Sequence, residues 1–182
     1  MRRSIAGSQP THPAMRSALA RLARLRVPLG FAFAVVVFVA ARPTRTTLIV
    51  GAMVAAVGEA IRFWAAGHVE KDREVTSSGP YRWTRHPLYA GSAVIGLGLA
   101  IACHNWIAAA IVALYLSATL TAAIHTEEAW LRATFGAEYA AYCEGHTVAR
   151  EFRVARALRN REHRAIGGLA LSLLLLALKM TQ

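Results

Sequence analysis

The feature that most constrains this chain is a series of long apolar runs separated by arginine-rich segments. The runs cover residues 27–41, 48–66, 87–103, 106–124 and 165–178. A helix needs about 20 predominantly apolar residues to cross a bilayer, with about 17 as the lower limit. The middle three runs meet this limit, the first is borderline, and the last is short enough to be interfacial or to lie against other helices. The pattern predicts an all-α, polytopic membrane helical bundle with four to five spans, of which five is the best estimate.

The overall charge is compatible with a membrane protein and argues against a nucleic-acid-binding domain. The chain has 21 lysines and arginines against 10 acidic residues, a formal charge of +11, and it is nevertheless 55% hydrophobic. Membrane proteins combine these properties because the spans supply the apolar residues and the loops supply the basic ones. Here the arginines are interrupted by long uncharged runs, so we expect a lipid bilayer and no nucleic acid as a partner.

The distribution of basic residues predicts the orientation in the membrane. Most of them precede the first run, lie in the 67–86 connector or follow the fourth run. If the spans alternate, these three segments share one side, and Arg42, Arg45 and Lys179 lie on the other. The positive-inside rule places the arginine-rich side in the cytoplasm. We therefore expect a multi-pass protein, of the cell membrane, with a cytoplasmic N-terminus.

The start of the chain has two interpretations. A basic segment, an apolar run and the small residues Ala40 and Ala41 resemble a secretory signal peptide. Cleavage there would invert the arginine asymmetry, so we favour a basic segment that is disordered at first and amphipathic from residue 14. The predicted organisation is this basic segment, a membrane domain, and an apolar C-terminal helix and tail, at residues 1–26, 27–164 and 165–182.

The connector before the third run carries more functional groups than a membrane turn needs. Residues 79–91 read GPYRWTRHPLYAG, and Pro87 suits the first position of a helix, where a missing N–H costs nothing. Such a helix directs its free N–H groups and its positive dipole end toward the connector, which makes an anion site. Arg85 and His86 directly precede the first residue of this helix, at the anion site, and Tyr89 lies half a turn after the helix start. In the alternative interpretation these residues anchor a span at headgroup level.

Two adjacent glutamates follow the fourth run. Glu128 precedes Arg132 by four residues, the spacing of a surface ion pair on a helix. Glu127 has apolar residues at the positions three and four away, so its carboxylate lies on the apolar face. An ionised carboxylate there is costly unless a cation meets it, and the candidates are Arg85 and a cationic ligand.

Polar and small residues within the runs also have two interpretations each. Glu59 and Arg62 lie three positions apart and are expected to neutralise each other, although Arg62 is also a candidate for positioning a substrate. Gly96 and Gly98 belong to a stripe of small residues that either permits close helix packing or leaves room for a flat ligand.

The two cysteines indicate neither a disulfide nor a metal site. Cys103 ends the third run and Cys143 follows the fourth, so they lie on opposite sides of the membrane and cannot pair within one chain. No His/Cys spacing suggests a metal site. The turn between the third and fourth runs is very short, which predicts a tight helical hairpin.

Three of these stretches together resemble a known family. The motif RHPLYAG, then GLG, and then the glutamate pair followed by FGAEYAAY are similar to the isoprenylcysteine carboxyl methyltransferase family, a relative of the integral-membrane phospholipid N-methyltransferases. The resemblance implies S-adenosylmethionine bound in a pocket at the cytoplasmic side. The residues that it assigns to the cofactor are His86, Pro87, Leu88, Tyr89, Gly96, Gly98 and Glu127. The candidate catalytic residues are Arg85, Glu128 and Arg62.

The resemblance is weaker around the methyl acceptor. The prenylcysteine enzymes carry an arginine shortly before the glutamate pair, whereas residues 122–125 here read AAIH. We expect an integral-membrane S-adenosylmethionine-dependent methyltransferase that methylates a carboxyl group of a lipid-like or prenylcysteine-like acceptor. Methylation of a phospholipid or another amine is the alternative. An alternative of a different class is a non-enzymatic transport or assembly protein, which has no need of the RHPxY cluster.

Overall fold

A computed structural model describes residue 30 and residues 32–70 and 73–181 of the chain. Within these residues the regular structure is helical, without a β-strand. The predicted all-α class is therefore confirmed for this part of the chain. The basic N-terminal segment predicted for residues 1–26 lies outside the described residues, as does the start of the first apolar run.

The helices follow the apolar runs closely. In chain order they are α1 (residues 32–40), α2 (Arg45–Ala66), α3 (Pro87–Cys103), α4 (Trp106–Cys143), α5 (Val154–Arg159) and α6 (Glu162–Met180), with a short 3₁₀ turn at Gly79–Arg82. In the described part of the chain, α2, α4 and α6 are long and apolar enough to cross a membrane, and α3 is a shorter apolar helix of 17 residues. The prediction of a polytopic membrane helical bundle is confirmed.

The chain divides into two compact units, residues 1–36 and residues 37–182. In the first unit, the described residues are residue 30 and residues 32–36, and all of them are helical. Every contact discussed below lies within the second unit.

Helices α2 and α3 pack closely because glycines occupy the contact on both sides. A Cβ atom at Gly98 would lie 2.5 Å from the carbonyl oxygen of Gly51, and one at Gly58 would lie 2.7 Å from that of Gly91. Small residues permit such close approach of helix backbones in membranes. The contact fixes the start of α3 relative to the end of α2.

A tight hairpin joins α3 to α4, as predicted. His104 adopts a left-handed conformation with φ of 45°, and the Asn105 side chain caps α4. Its Oδ1 accepts hydrogen bonds from the backbone N–H groups of Ile107 and Ala108 at 2.9 and 3.0 Å. These bonds satisfy two of the four N–H groups that lack a partner at a helix start.

Helix α6 reaches both ends of the bundle. Its first residue, Glu162, contacts Arg62 near the end of α2, and Lys179 donates to the carbonyl oxygens of Phe38 and Val39 at 2.5 and 2.8 Å. A helix of 19 residues is about 28 Å long, close to the thickness of the hydrocarbon core. The last run was expected to be short, but the helix starts three residues before it and is long enough to span.

We call the end of the bundle that contains Ala66, Pro87 and Glu162 the site end, and the end that contains Asn105 and Lys179 the opposite end. The segment after α4 packs against the site end. There the Asn160 side-chain amide donates to the carbonyl oxygens of Ala66 and Val69 at 2.9 and 3.0 Å. These bonds satisfy carbonyl groups left free where α2 ends.

Candidate functional site

An open cavity lies at the site end, between the connector and the second half of α4. It encloses about 770 Å³ of space between the protein atoms, a value that includes open solvent at its mouth. The connector and the start of α3 contribute Val69, Glu70, Glu74, Val75, Thr76, Tyr81, Arg85 and Leu88, and α4 contributes Glu127, Trp130, Leu131 and Tyr142. Three of the predicted site residues therefore line this cavity: Arg85, Leu88 and Glu127.

The start of α3 lies where the sequence predicts it. Pro87 is the first helical residue and is fully buried, and His86 occupies the N-cap position. The His86 side chain makes no capping bond; instead its Nε2 lies 3.1 Å from Oε1 of Glu128. The ring of Tyr89 packs 5.8 Å from that of His86. The start of α3 and the glutamate pair of α4 therefore lie next to each other in the structure.

Glu128 contacts three basic side chains. Arg132 lies 3.7 Å away and confirms the pair predicted from the four-residue spacing. His86 and Arg85 add contacts at 3.1 and 3.8 Å, and both belong to the connector. Arg85 was one of two candidate cations for Glu127, and the structure pairs it with Glu128 instead.

Arg85 has a second partner, the thiol of Cys143, at 3.5 Å from its guanidinium. The hydrogen bond to Cys143 raises the pKa of Arg85, and the Glu128 carboxylate raises it further. The arginine is therefore a permanent positive charge at the cavity wall. This contact could not be predicted from the sequence, because Arg85 and Cys143 are 58 positions apart and no helical spacing relates them.

Glu127 has different surroundings. It lines the cavity and is exposed, and its carboxylate interacts with the Tyr89 side chain. No arginine, lysine or histidine among the described residues forms an ion pair with it. The cavity therefore presents one carboxylate that no cation of the described chain neutralises.

Two further carboxylates line the cavity, those of Glu70 and Glu74, and the sequence did not indicate them as site residues. Glu70 accepts hydrogen bonds from Arg156 at 2.9 Å and from Arg159 at 3.0 Å, and Glu74 pairs with Arg150. The hydrogen bond from Arg156 is the main cause that lowers the pKa of Glu70. The signal in the sequence is the spacing of three residues between successive arginines after α4, together with two glutamates at the start of the connector.

The last turns of α4 hold the connector in place. Gly136 has φ of 40° and interrupts α4, so the turns after it take a different direction. In those turns the Tyr142 hydroxyl donates to the carbonyl oxygen of Tyr81 at 2.7 Å, and Glu138 accepts from the backbone N–H of Val75 at 3.2 Å. The FGAEYAAY motif thus fastens two segments that line the cavity.

Arg62 does not line the cavity. Its NH2 lies 3.0 Å from both carboxylate oxygens of Glu162, and its NH1 donates to the Ser92 hydroxyl at 2.5 Å. The predicted partner, Glu59, lies 3.9 Å from its Nε. The Glu59–Arg62 pair is therefore present but long, and the principal partner of Arg62 comes from α6.

Gly96 and Gly98 also lie away from the cavity lining, within helix contacts. A Cβ atom at Gly96 would lie 2.0 Å from the Leu116 side chain of α4, and Gly98 packs on Gly51 and Ala55 of α2. This packing agrees with the first of the two interpretations of these glycines. Their contact with a cofactor stays a prediction.

The chain is similar to known proteins over much of its length. The family model for phospholipid methyltransferases matches residues 44–138, which include α2, α3 and most of α4. The cobalt-zinc-cadmium resistance protein CzcN of Cupriavidus metallidurans is 32% identical over 150 residues, which covers 72% of this chain and 68% of that protein. No solved structure matches the chain.

Proposed function

The chain belongs to the phospholipid methyltransferase family, and we propose that it is an integral-membrane methyltransferase that transfers the methyl group of S-adenosylmethionine to a lipid-like acceptor. The observation that carries this proposal is the cavity at the site end. It lies between the start of α3, which contributes Leu88, and α4, which contributes Glu127, and both belong to the stretch that the family model matches.

The charges of the cavity fit a ligand with both signs. Glu70 and Glu74 are already paired with arginines, so Glu127 is the carboxylate left to meet a cation, and Arg85 is the cation at the wall. S-adenosylmethionine carries an ammonium group, a carboxylate, an adenine and a sulfonium. Glu127 suits the ammonium or a hydroxyl-bearing part, and Arg85 suits the carboxylate.

The start of α3 would complete the binding of the cofactor carboxylate. Its free N–H groups lie beside His86, and Leu88 forms part of the cavity wall. Pro87 shapes this turn from a buried position, and Tyr89, next to Glu127, offers an aromatic face to the adenine or the sulfonium. Trp130 of α4 offers a second aromatic face.

The proposed methyl transfer depends mainly on the alignment of the methyl donor with the acceptor. Methyl transfer is an in-line displacement, so the protein has to orient donor and acceptor and exclude water. Our first candidate for the acceptor is a carboxyl group, because a carboxylate is already a nucleophile and Arg85 can bind it. The second candidate is the amine of a phospholipid, which the description of the matched family favours. An amine has to lose a proton before it attacks, and Glu128, bonded to His86 near the cavity, is our candidate for assisting that step.

The lipid-like acceptor and S-adenosylmethionine would reach the cavity from different sides. Helices α4 and α6 leave most of their apolar residues uncovered by the rest of the described chain, as expected for surfaces in contact with lipid. A lipid-like acceptor would reach the cavity from the bilayer. By the positive-inside rule the arginine-rich site end faces the cytoplasm, from which the cofactor would enter.

The proposal is tested by incubating membranes that contain the protein with methyl-labelled S-adenosylmethionine and separating the labelled lipids. We expect label in a lipid fraction. Alkaline hydrolysis that releases the label as methanol indicates a methyl ester, whereas stable label indicates an N-methyl group. Absence of both incorporation and cofactor binding would instead favour the non-enzymatic alternative.

Glu127→Gln sharpens the test. Loss of a charge-assisted hydrogen bond should weaken cofactor binding by about 1.5–3 kcal/mol, as measured by equilibrium binding to the detergent-solubilised protein. Glu144→Gln is the matched control, because Glu144 is exposed at the end of the same helix and does not line the cavity. Equal losses in the two variants would contradict a direct role for Glu127.

A further inference from the structure

Arg62 connects three helices through one guanidinium group. It belongs to α2, its NH2 is bonded to both carboxylate oxygens of Glu162 in α6 at 3.0 Å, and its NH1 is bonded to Ser92 in α3 at 2.5 Å. The same NH1 lies 3.5 Å from the carbonyl oxygen of Leu88. The group therefore ties the start of α6 to the first turns of α3.

The Arg62–Glu162 pair is largely buried, and its partners are well defined. The side chains are 21% and 6% exposed, so Glu162 is almost completely shielded from water. Both oxygens of the Glu162 carboxylate bond to one nitrogen of the guanidinium, and the other terminal nitrogen bonds to Ser92, so the bonds on the two nitrogens together orient the guanidinium plane. Glu162 also stands in the first turn of α6, where the helix dipole favours a negative charge.

The orientation of Arg62 matters for the cavity through Leu88. Leu88 lines the cavity, and its carbonyl oxygen receives a hydrogen bond from the Ser92 hydroxyl at 2.9 Å in addition to the contact from Arg62. A guanidinium that turned away from Glu162 would change both contacts in this turn. Neither Arg62 nor Glu162 lines the cavity, so neither is in direct contact with a ligand there, and the hydrogen bonds to α3 connect them to the cavity wall at Leu88.

We propose that Glu162 is a positioning residue for the cofactor cavity, because it orients Arg62, which in turn holds the first turn of α3 in place. This inference rests on the proposed function, since it assumes that the cavity binds S-adenosylmethionine. It assigns a role to α6, which lies beyond the stretch matched by the family model.

The test measures the dissociation constant of S-adenosylmethionine and the melting temperature of the solubilised full-length protein. Glu162→Gln keeps the shape of the side chain but removes its charge. We expect the dissociation constant to rise about tenfold, which lies within the range for residues coupled through one hydrogen-bond network. Glu162→Asp, which keeps a carboxylate, should recover most of the affinity.

Two more variants help to distinguish a positioning role of Glu162 from a general loss of folding. Arg62→Lys keeps a positive charge next to Glu162, but an ammonium group cannot reproduce the planar fork that also reaches Ser92 and Leu88. It should therefore raise the dissociation constant as well. Glu151→Gln is the control, because Glu151 is exposed in the same C-terminal part of the chain and its side chain makes no ion pair among the described residues.

The outcomes separate the two proposals. A wild-type protein that binds no S-adenosylmethionine overturns the proposed function and, with it, this inference. Wild-type binding with an unchanged dissociation constant in Glu162→Gln and Arg62→Lys overturns the inference alone. A lower melting temperature with unchanged affinity of the folded fraction also overturns it, because that result indicates a purely structural pair.

Discussion

At the scale of single residues, Glu127 and Glu128 have opposite environments although they are adjacent in one helix. Successive residues of a helix point about 100° apart, so Glu128 faces the connector and Glu127 faces the cavity. Glu128 is therefore bonded to His86 at 3.1 Å, and Glu127 has no cationic partner among the described residues. The first arrangement stabilises the protein, and the second leaves a charge available to a ligand.

His68 shows how the connector depends on one buried ring. The histidine is 5% exposed, and its Nδ1 lies 3.0 Å from the Ser78 hydroxyl. Its ring also packs against those of Trp64 and Phe152. Burial is the main cause that lowers the pKa of His68, followed by the charges of nearby arginines. The folded protein therefore favours the neutral ring.

This shift predicts a pH dependence of stability. The unfolded chain takes up a proton at His68 near pH 6.5, whereas the folded chain resists protonation until a lower pH. Stability should therefore fall as the pH drops below 6.5 and level off below the pKa of the folded state. Melting temperatures of the solubilised protein at pH 7.5 and 5.5 measure the effect, and His68→Gln should reduce the difference. An unchanged difference in that variant would show that another group is responsible.

At the scale of elements, the contact between α2 and α3 places the site. Its glycines bring the two backbones within van der Waals contact, so the end of α2 and the start of α3 have little freedom relative to each other. The connector that lines the cavity runs from the end of α2 to the start of α3. A change in the spacing of these helices should therefore reach the cavity.

Substitution of a contact glycine should destabilise the bundle. At Gly98 a Cβ atom would lie 2.5 Å from backbone atoms of both Gly51 and Ala55, which cannot move aside, so Gly98→Ala should cost about 1–3 kcal/mol. Gly167→Ala is the matched control in α6, where nothing lies within 4 Å, and it should stabilise the helix by up to about 1 kcal/mol. Denaturant unfolding in detergent measures both. A weaker cofactor affinity of Gly98→Ala at unchanged stability would instead favour the ligand interpretation of this glycine.

At the scale of the whole molecule, α6 determines how the two ends of the bundle are related. It joins Glu162 at the site end to Lys179 at the opposite end, where the lysine meets the carbonyl groups at the end of α1. The basic segment that precedes α6 packs on the site end. Arg42, between α1 and α2, and Arg45, the first residue of α2, lie at the opposite end. This distribution agrees with the arginine asymmetry of the sequence.

The arrangement predicts the results of single-cysteine labelling in sealed membranes. In a background with Cys103 and Cys143 replaced by serine, cysteines at Trp83 and Glu144 should react from the cytoplasmic side, because both residues are exposed at the site end. A cysteine at Thr181 should react from the other side, because α6 crosses the bundle. Reaction of Thr181 from the cytoplasm would contradict α6 as a span, and external reaction of Trp83 would contradict the cytoplasmic site.

The sequence by itself determined the elements of this protein and some of its contacts. The apolar runs predicted the helices because each helix in a bilayer must satisfy its own backbone and bury about 20 apolar residues in lipid, which are properties of one segment at a time. Pro87 predicted the start of α3 for a similar local reason. The Glu128–Arg132 pair followed from the helical repeat alone.

Only the tertiary structure decided which distant residues meet. Glu128 and His86 are 42 positions apart and Arg62 and Glu162 are 100 positions apart, so no helical spacing relates the members of either pair. In a chain with 21 lysines and arginines, each carboxylate has many possible cationic partners. The choice among them depends on how α3, α4 and α6 pack around α2, because ion pairs form at distances of a few ångströms and only the packed bundle brings two charges that close.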